Sequence, residues 1–573
     1  MKRFLFSTLV RVAPLWALPA GCEINTFAEP FDIEYPTALT AAGDGTVYVS
    51  VDRKGSLGRI EGGMGSVVAC RDTDGDGQAD WFKKFVPDVD SPRGGDFVAG
   101  TLYLIHPPYL SAFRDTTGDG VADEHKVLLE NIGFGLNHPR GADHTTNGCK
   151  MGIDGWIYIA VGDFGMEGTK GTDGRVVTLH GGGLARVRPD GTDLEVYSYY
   201  TRNTCDVAIS PYLDMFTRDN TNDGKGWNIR LHHFTNGSDH GYPRLYKNFA
   251  DEAVKPVMDL GGGSGTGALY LHEPGMPGKY GDMLFTCDWT TGKIYEHPLE
   301  PFEATFTMEE GEFLKLGRAI DIDVDGESRL YVCDWRGGRF NFAGEGKKVG
   351  LVQRIVPTGA NVEKWPDLSK ASEGDLVEHL AHRSAVRRRE AQWELLRRGA
   401  NPKLAEGLFA LMKDGSKPLY GRVAAIFTFK QLFGAKGNTY LAELLGDDAE
   451  REFALRATAA RTGELAGVPT KWFRAALRDP NPRVRLQAVI GLERLGTTEG
   501  AGEIIALASS AWEARAKLGK GEDHRIPHAC VRALARTGAW EACLAAVTDP
   551  QRRTVALRAL QRMHREEVVD GLA

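Results

Sequence analysis

The sequence predicts two architectures in tandem, an all-β six-bladed β-propeller followed by an all-α solenoid of stacked helices. Three observations carry this. Glycine makes up 70 of the 573 residues, roughly 12% against a usual ~7%, and 52 of the 70 precede residue 371. A strand centred on an aromatic recurs six times in that same stretch. After Trp365-Pro366 glycine falls, alanine, leucine and arginine rise, and helical periodicity replaces alternation. Glycine marks tight turns, and a chain with many turns has many short strands. The glycines follow no three-residue period, which excludes a collagen-like fibre.

The recurring strands are GTVYVSVD (45–52), GTLYLIH (100–106), GWIYIAVGD (155–163), LDMFTRDN (213–220), DMLFTCDW (282–289) and SRLYVCDW (328–335). Their aromatics, Tyr48, Tyr103, Tyr158, Phe216, Phe285 and Tyr331, stand 55, 55, 58, 69 and 46 residues apart. Such an interval holds four short strands with their turns, the content of one blade, so six copies predict six blades. A sandwich would not keep so regular a period. The propeller is assigned to residues 21–360, after a leader over 1–20, and a linker to 361–373.

Helices are expected over 374–573, and DPNPRVRLQAVIGLERLG (479–496) is the clearest unit. Asp479 is placed to cap, and Pro480 and Pro482 sit in the first turn, where a missing N–H does no harm. Val484, Ala488, Val489 and Leu492 form one apolar stripe, and Gly496 stops the helix. Weaker copies lie at 382–399, 447–465, 524–538 and 548–563. The block resembles HEAT repeats, which stack helix pairs into a solenoid, with a generic helical bundle as the alternative. The arginines along these helices read as a solvated face. The chain stops at Ala573 just after an ordinary-looking repeat without a polar end cap, as a piece of a longer protein would.

Net charge is −8 and no long basic block occurs, so nucleic acid is not an expected partner. Eight cysteines are too few for a disulfide scaffold, and no C-x-x-C or C-x-x-C-H is present. Lys2 and Arg3 precede a short apolar run broken by Arg11, which predicts export to the periplasm or cell surface. A lipid anchor at Cys22 is not expected, because Pro19 fits a lipoprotein cleavage box poorly; Cys22 to Phe27 reads as the first strand. No stretch reaches the ~18 apolar residues of a membrane-spanning helix.

Propellers place functional groups at strand ends around a central channel. The best candidates are His144, in a loop before the third aromatic strand, and Asp163, at that strand's end. A carboxylate beside an imidazole fixes its tautomer and raises its basicity. A structural polar pair is the competing reading.

The stretches HTTNGCKMGIDGWIYIAVGDFG (144–165), TRNTCDVAISPYLDMFTRDN (201–220) and NGSDHGYP (236–243) resemble the soluble quinoprotein glucose/sorbosone dehydrogenases. The resemblance implies a six-bladed propeller that oxidises a sugar or polyol with pyrroloquinoline quinone (PQQ) and calcium. It places the proton-abstracting pair on His144 and Asp163, and cofactor contacts on Arg202, Asn203 and Arg318, since guanidinium pairs bidentately with carboxylates. It also implies a catalytic calcium near Asp219, Asn220 and Asn222. The match departs at two positions. Thr290 and Thr291 stand where a cofactor-binding lysine is expected, and Leu316 replaces a second arginine. The whole layout is similar to the membrane-bound-dehydrogenase proteins of planctomycetes and verrucomicrobia, which add a haem-binding C-x-x-C-H domain that is missing here. That likeness implies a separate electron acceptor, such as a cytochrome, and a protein partner for the solenoid. A non-catalytic carbohydrate- or protein-binding scaffold is the alternative; a lactonase would need a central ring of calcium ligands that the sequence does not offer clearly.

Two acidic loops stand apart. D-T-D-G-D-G-Q-A-D carries Asp72, Asp74, Asp76 and Asp80, and D-T-T-G-D-G-V-A-D carries Asp115, Asp119 and Asp123. Carboxylates at positions 1, 3, 5 and 9 with glycine at 6 fit a calcium loop, although Lys83 and Lys126 occupy position 12. An Asp/Gly hairpin held by side-chain-to-backbone bonds is the other reading. His232 and His233 are adjacent on a strand and so face opposite sides, while His138 and His240 lie near the matched stretches. Trp289 and Trp335 read as blade packing rather than sugar stacking.

Overall fold

The computed structural model describes residues 18–30, 33–52, 65–134, 142, 144–220, 228–243, 252–336, 349–358, 362–518 and 523–572. His138, Asn222 and positions 1–17 of the predicted leader lie outside the described residues.

Six antiparallel sheets form the blades of the propeller. Blade 1 runs Pro36–Ala41, Val47–Val51, Gly65–Arg71 and Trp81–Val89 from the channel outward. Blade 2 has Gly94–Val98, Thr101–His106, Tyr109–Arg114 and Glu124–Glu130, extended by Met166–Gly171 and Val176–Leu179. Blade 3 comprises Thr146–Met151, Ile157–Val161, Gly182–Val187 and Glu195–Thr201. Blade 4 comprises Ala208–Ile209, Met215–Arg218, Ile229–Phe234 and Met258–Gly261. Blade 5 uses Gly265–His272, Asp282–Asp288, Lys293–His297 and Gly311–Lys315. Blade 6 joins Ala319–Val324, Leu330–Asp334 and Leu351–Pro357 to the N-terminal strand Cys22–Ala28. That last pairing, with Cys22 opposite Pro357 and Ile24 opposite Ile355, ties the two ends of the propeller together and closes the ring.

All six aromatic repeats are second strands of their blades. Val47–Val51, Ile157–Val161 and Leu330–Asp334 are buried at every position. A second strand is packed by a neighbouring blade on each face, so it reads as a continuous apolar run, which is why the period is legible there.

The inner strands are stitched to one another by side chains. Asp321 and Asp323 of blade 6 accept the Leu39 and Ala41 N–H groups of blade 1 at 2.9 and 3.0 Å. Asp96 of blade 2 accepts Met151 N–H of blade 3 at 2.7 Å, and Asp206 accepts Ala268 N–H of blade 5 at 3.2 Å. An inner strand has one sheet edge without a partner strand, and its buried N–H groups need acceptors.

Helices follow from Glu373–His379 to Glu566–Leu572. In the helix Pro482–Leu495 the stripe Val484, Ala488, Val489 and Leu492 is fully buried, and Gly496 ends it at φ 67°. Its cap is Asn481, which accepts Arg483 N–H at 2.9 Å; Asp479, two residues upstream, instead accepts Asn481 N–H.

The helical array is docked on the propeller. It covers the end of the ring that carries the turns between first and second strands. Trp365, in the predicted linker, packs against turns of blades 1 and 6, where a Cβ at Gly43 or Gly326 would sit 2.3 or 1.9 Å from its indole. The expectation of a solvated arginine face is corrected here. Arg389 contacts Asp96, Arg483 contacts Asp214, Arg494 contacts Glu195, and Arg525 donates to the His233 carbonyl. Arg387, Arg388 and Arg525 are all less than 10% exposed. Guanidinium suits such a seam because its five donors satisfy several carboxylates and carbonyls at once.

Candidate functional site

The end of the ring opposite the helices opens into a cavity of about 400 Å³, lined by the starts of the inner strands and by the loops that follow the second strands. His144, Arg202, Asn203 and Asn220 line it together. Positions from two separate stretches, 144–165 and 201–220, thus converge, because every inner strand starts at this same end of the channel.

His144 and Asp163 meet: Nδ1 and Oδ1 are 2.5 Å apart. The strand Thr146–Met151 pairs antiparallel with Ile157–Val161, and Thr146 stands opposite Val161. The hairpin therefore returns the chain to its starting point and sets the two flanking residues side by side. Gly162 N–H donates to the Thr145 carbonyl at 2.6 Å, and Phe164 N–H to the His144 carbonyl at 3.0 Å. His144 adopts φ 61°, costly for a residue with a Cβ, and its ring packs on Phe164 with centroids 5.3 Å apart. A Cβ at Gly162 would lie 2.5 Å from the His144 carbonyl and 2.6 Å from Asn203 Oδ1, so only glycine permits this approach.

Asn203 accepts from Asn147 Nδ2 at 3.1 Å, and Asn147 in turn accepts from Arg93 Nη2 at 3.1 Å. Arg202 donates to the Asn220 carbonyl at 2.8 Å. Arg93 and Asn147 line the cavity and were missed by the sequence reading. Asn147 lies within a stretch singled out for its resemblance; Arg93 carried no signal.

Arg318 is not one of the lining residues. Its guanidinium lies 4.0 Å from the Trp289 ring centroid and donates to the Trp289 carbonyl at 3.3 Å, so it backs the wall rather than forming it. Trp289 and Trp335 do line the cavity, 6.3 Å apart edge to face, and Trp335 also donates to the Pro36 carbonyl at 2.7 Å. They are packing and wall at once. Thr290 also lines it and donates to Ser264 Oγ at 2.9 Å, while Leu316 is buried.

Asp219 stands apart from the cavity. One oxygen accepts Arg230 N–H at 2.9 Å and the other faces His232 Nε2 at 3.0 Å. His233 faces Asp214 instead, on the opposite side of the strand.

In the first acidic loop Asp72, Asp74 and Asp76 can each present an oxygen within 4.8 Å of the others. Asp80 does not join them; it accepts Thr73 N–H and the Thr73 hydroxyl at 2.8 and 2.6 Å. Asp72 accepts Gly75 and Gly77 N–H at 2.7 and 2.9 Å and pairs with Arg354 at 3.2 Å. The second loop repeats this, with Asp115 accepting Gly118 and Gly120 N–H and Asp123 accepting Thr116, although position 3 is Thr117. Side-chain-to-backbone bonds therefore set both loops, whatever stands at the third position.

Comparison with solved structures finds propellers of this kind. The PQQ-bound aldose sugar dehydrogenase from Streptomyces coelicolor is similar at 17% identity, over 59% of this chain and 100% of that one, with a TM-score of 0.43. The PQQ domain of pyranose dehydrogenase from Coprinopsis cinerea follows at 13% identity, over 60% and 97%, with a TM-score of 0.40. A gluconolactonase from Xanthomonas campestris gives 13% identity, over 58% and 89%, with a TM-score of 0.35. No curated protein matches the chain. A family model described as "Domain of unknown function (DUF7133)" matches residues 15–338. That span is more than half of the 573 residues, and the chain belongs to the DUF7133 family.

Proposed function

We propose that the propeller is a PQQ-dependent dehydrogenase that oxidises a CH–OH group of a sugar or polyol. One observation carries this reading: the His144–Asp163 contact, held on a strained backbone, at the edge of a cavity that Arg202 and Asn203 share. The cavity suits a flat anionic group. Arg93 and Arg202 supply guanidinium for carboxylates, the indoles of Trp289 and Trp335 supply apolar wall, and the lining glycines Gly94, Gly148 and Gly267 keep the lumen open.

With Nδ1 engaged by Asp163, the lone pair of His144 is on Nε2, which takes the proton of the substrate hydroxyl. The Asp163 carboxylate then stabilises the imidazolium and holds the ring against rotation. Asn203, fixed by Asn147, and Arg202, fixed by the Asn220 carbonyl, orient what binds between them. Bound quinone would supply the two-electron acceptor. Calcium belongs to the same reading, with Asn220 on the cavity wall. A separate electron acceptor, export from the cytoplasm and HEAT-type stacking of the helices complete the proposal, with the outer face of the array left for a protein partner.

Thr290 and Leu316 favour a second reading, a carbohydrate-binding propeller without redox chemistry, because they bring no cation where the resemblance expects two. Reconstitution with PQQ and calcium decides between them. Sugar-dependent dye reduction that is lost in His144→Gln supports the dehydrogenase. No spectral change, no thermal stabilisation by PQQ and no dye reduction with any aldose or polyol would leave the binding module.

A further inference from the structure

The floor of the cavity carries a second titratable centre. Asp206, Asp321 and Lys150 all line it, each from a different blade. The two carboxylates reach sideways onto the inner strands of adjacent blades. Asp206 Oδ1 occupies the space where a Cβ at Gly148 would be, 2.6 Å away, and Oδ2 accepts Ala268 N–H. Asp321 Oδ1 does the same at Gly267, at 2.4 Å, and Oδ2 accepts Leu39 N–H. Both therefore flank the start of the blade 5 inner strand, and both residues are less than 8% exposed. Lys150 also lines a smaller cavity of about 120 Å³ beneath, which the helix Ala385–Arg398 closes with Arg388 and Arg389. Its Nζ lies 3.5 Å from Asp323 Oδ2.

Lys150 pairs with Asp323 and Arg389 with Asp96, while Arg93 and Arg202 line the wall of the cavity and Arg388 the smaller one beneath. Among the described residues neither Asp206 nor Asp321 has a cation within ion-pair distance; each is met by backbone N–H groups instead. Among the described residues, a grouping of three carboxylates tight enough for one metal ion occurs at Asp72, Asp74 and Asp76, not here. Burial without an ion-pair partner favours the protonated form of a carboxyl, against the backbone N–H bonds that favour the charged one. Burial raises the Asp206 carboxyl far above the usual carboxylate range; Lys150 pulls it part of the way back, and the Asp321 charge pushes it up again. Burial raises Asp321 as well, against the pull of Lys150.

We propose that Asp206 is a neutral carboxylic acid that serves as the proton donor of the cavity floor, the acid counterpart of the His144 base. What receives the proton rests on the dehydrogenase reading. Oxidation of CH–OH to a carbonyl gives the hydroxyl proton to His144; the hydride, together with the Asp206 proton, goes to a bound quinone, two electrons and two protons in all. His144 then returns its proton to solvent and Asp206 takes one back, so the substrate's loss of two electrons and two protons equals the acceptor's gain. Asp321 and Lys150 set the proton affinity of Asp206: a like charge that raises it and a cation that lowers it.

Infrared difference spectroscopy of the full chain tests the acid without any ligand. The wild-type-minus-Asp206→Asn difference spectrum is expected to show a neutral-carboxyl C=O stretch at pH 7 that fades in alkali; the buried Glu273 carboxyl, raised to about 7 in both proteins, cancels from it. In Lys150→Met the midpoint of this stretch is expected to rise, and in Asp321→Asn to fall, each by about one pH unit or more. The two variants shift in opposite directions, so partial misfolding, which would move both alike, is distinguished. No neutral-carboxyl component in that difference at pH 7 overturns the assignment whatever the activity. With dye reduction as readout, the alkaline fall of the rate is expected to follow the infrared midpoint and to disappear in Asp206→Asn. A band that behaves as stated in a protein that reduces no dye retains the acid and removes the dehydrogenase reading instead.

Discussion

Replacing Arg389 by methionine tests whether the helical array is held to the propeller by buried charge. Arg389 Nη1 lies 3.1 Å from both Asp96 oxygens, and Nη2 is 3.4 Å from the Phe97 carbonyl. The side chains are 19% and 1% exposed, so solvent screens the pair little. An exposed pair of this kind is worth ~0–1 kcal/mol, whereas removing one partner of a buried pair costs about 3–5 kcal/mol, because a charge is left uncompensated. Asp96 keeps Met151 N–H as a donor, which places Arg389→Met near the lower end, about 3 kcal/mol. At ~1.4 kcal/mol per tenfold, amide exchange of the helix Ala385–Arg398 should accelerate about 100-fold through local opening. Adding Asp96→Asn should recover part of the loss, since the double variant buries no unpaired charge. Acceleration below about fivefold, with no recovery in the double variant, would show that the pair behaves as a surface bridge and that apolar packing alone seats the array.

Gly162→Ala places a methyl where the His144 carbonyl and Asn203 already stand; the displaced loop should lower dye-reduction kcat by about 100-fold while the circular dichroism spectrum stays native. Buried His233 and His528 at the propeller–helix seam are pushed down to about 4 and about 3, chiefly by burial. Their folded values lie below the ordinary 6.5, so the stability they contribute is complete above 6.5 and is lost as pH falls from there toward 4. That amounts to roughly 2 kcal/mol per histidine by about pH 5, and a Tm that stays flat between about pH 7 and 5 would contradict it. In the first acidic loop Asp72→Ala removes two N–H acceptors and should cost about 1–3 kcal/mol, against about 0.5 for Asp74→Ala. Calcium and its chelator should shift the melting curves of the wild type and of both variants alike, and a calcium-dependent stabilisation present in the wild type and lost in Asp72→Ala would show that a metal rather than the turn holds the loop.

The propeller was legible because a second strand is sandwiched between blades and must be apolar throughout, as Ile157–Val161 is. The helix Pro482–Leu495 was legible from its stripe and its closing glycine, whereas its cap was displaced by two residues, since Asp479 and Asn481 are chemically equivalent candidates in DPNP. The His144–Asp163 contact was less so. The interval between them reads as one strand in the sequence; in the fold it is a hairpin, and a hairpin brings its ends together. The solvated reading of the arginines failed for a related reason. Periodicity tells which helix face is polar, but not whether water or another domain's carboxylates meet it.

Glycine distribution, aromatic spacing and helical stripes are local properties, and from them the chain's order of blades and helices follows. Convergence is not local. Arg93, Asn147 and Asp206 share one cavity only because ring closure through Cys22–Ala28 directs all six inner strands at one axis. The burial that results, absent from any one strand, is what raises the proton affinity of a carboxyl such as Asp206.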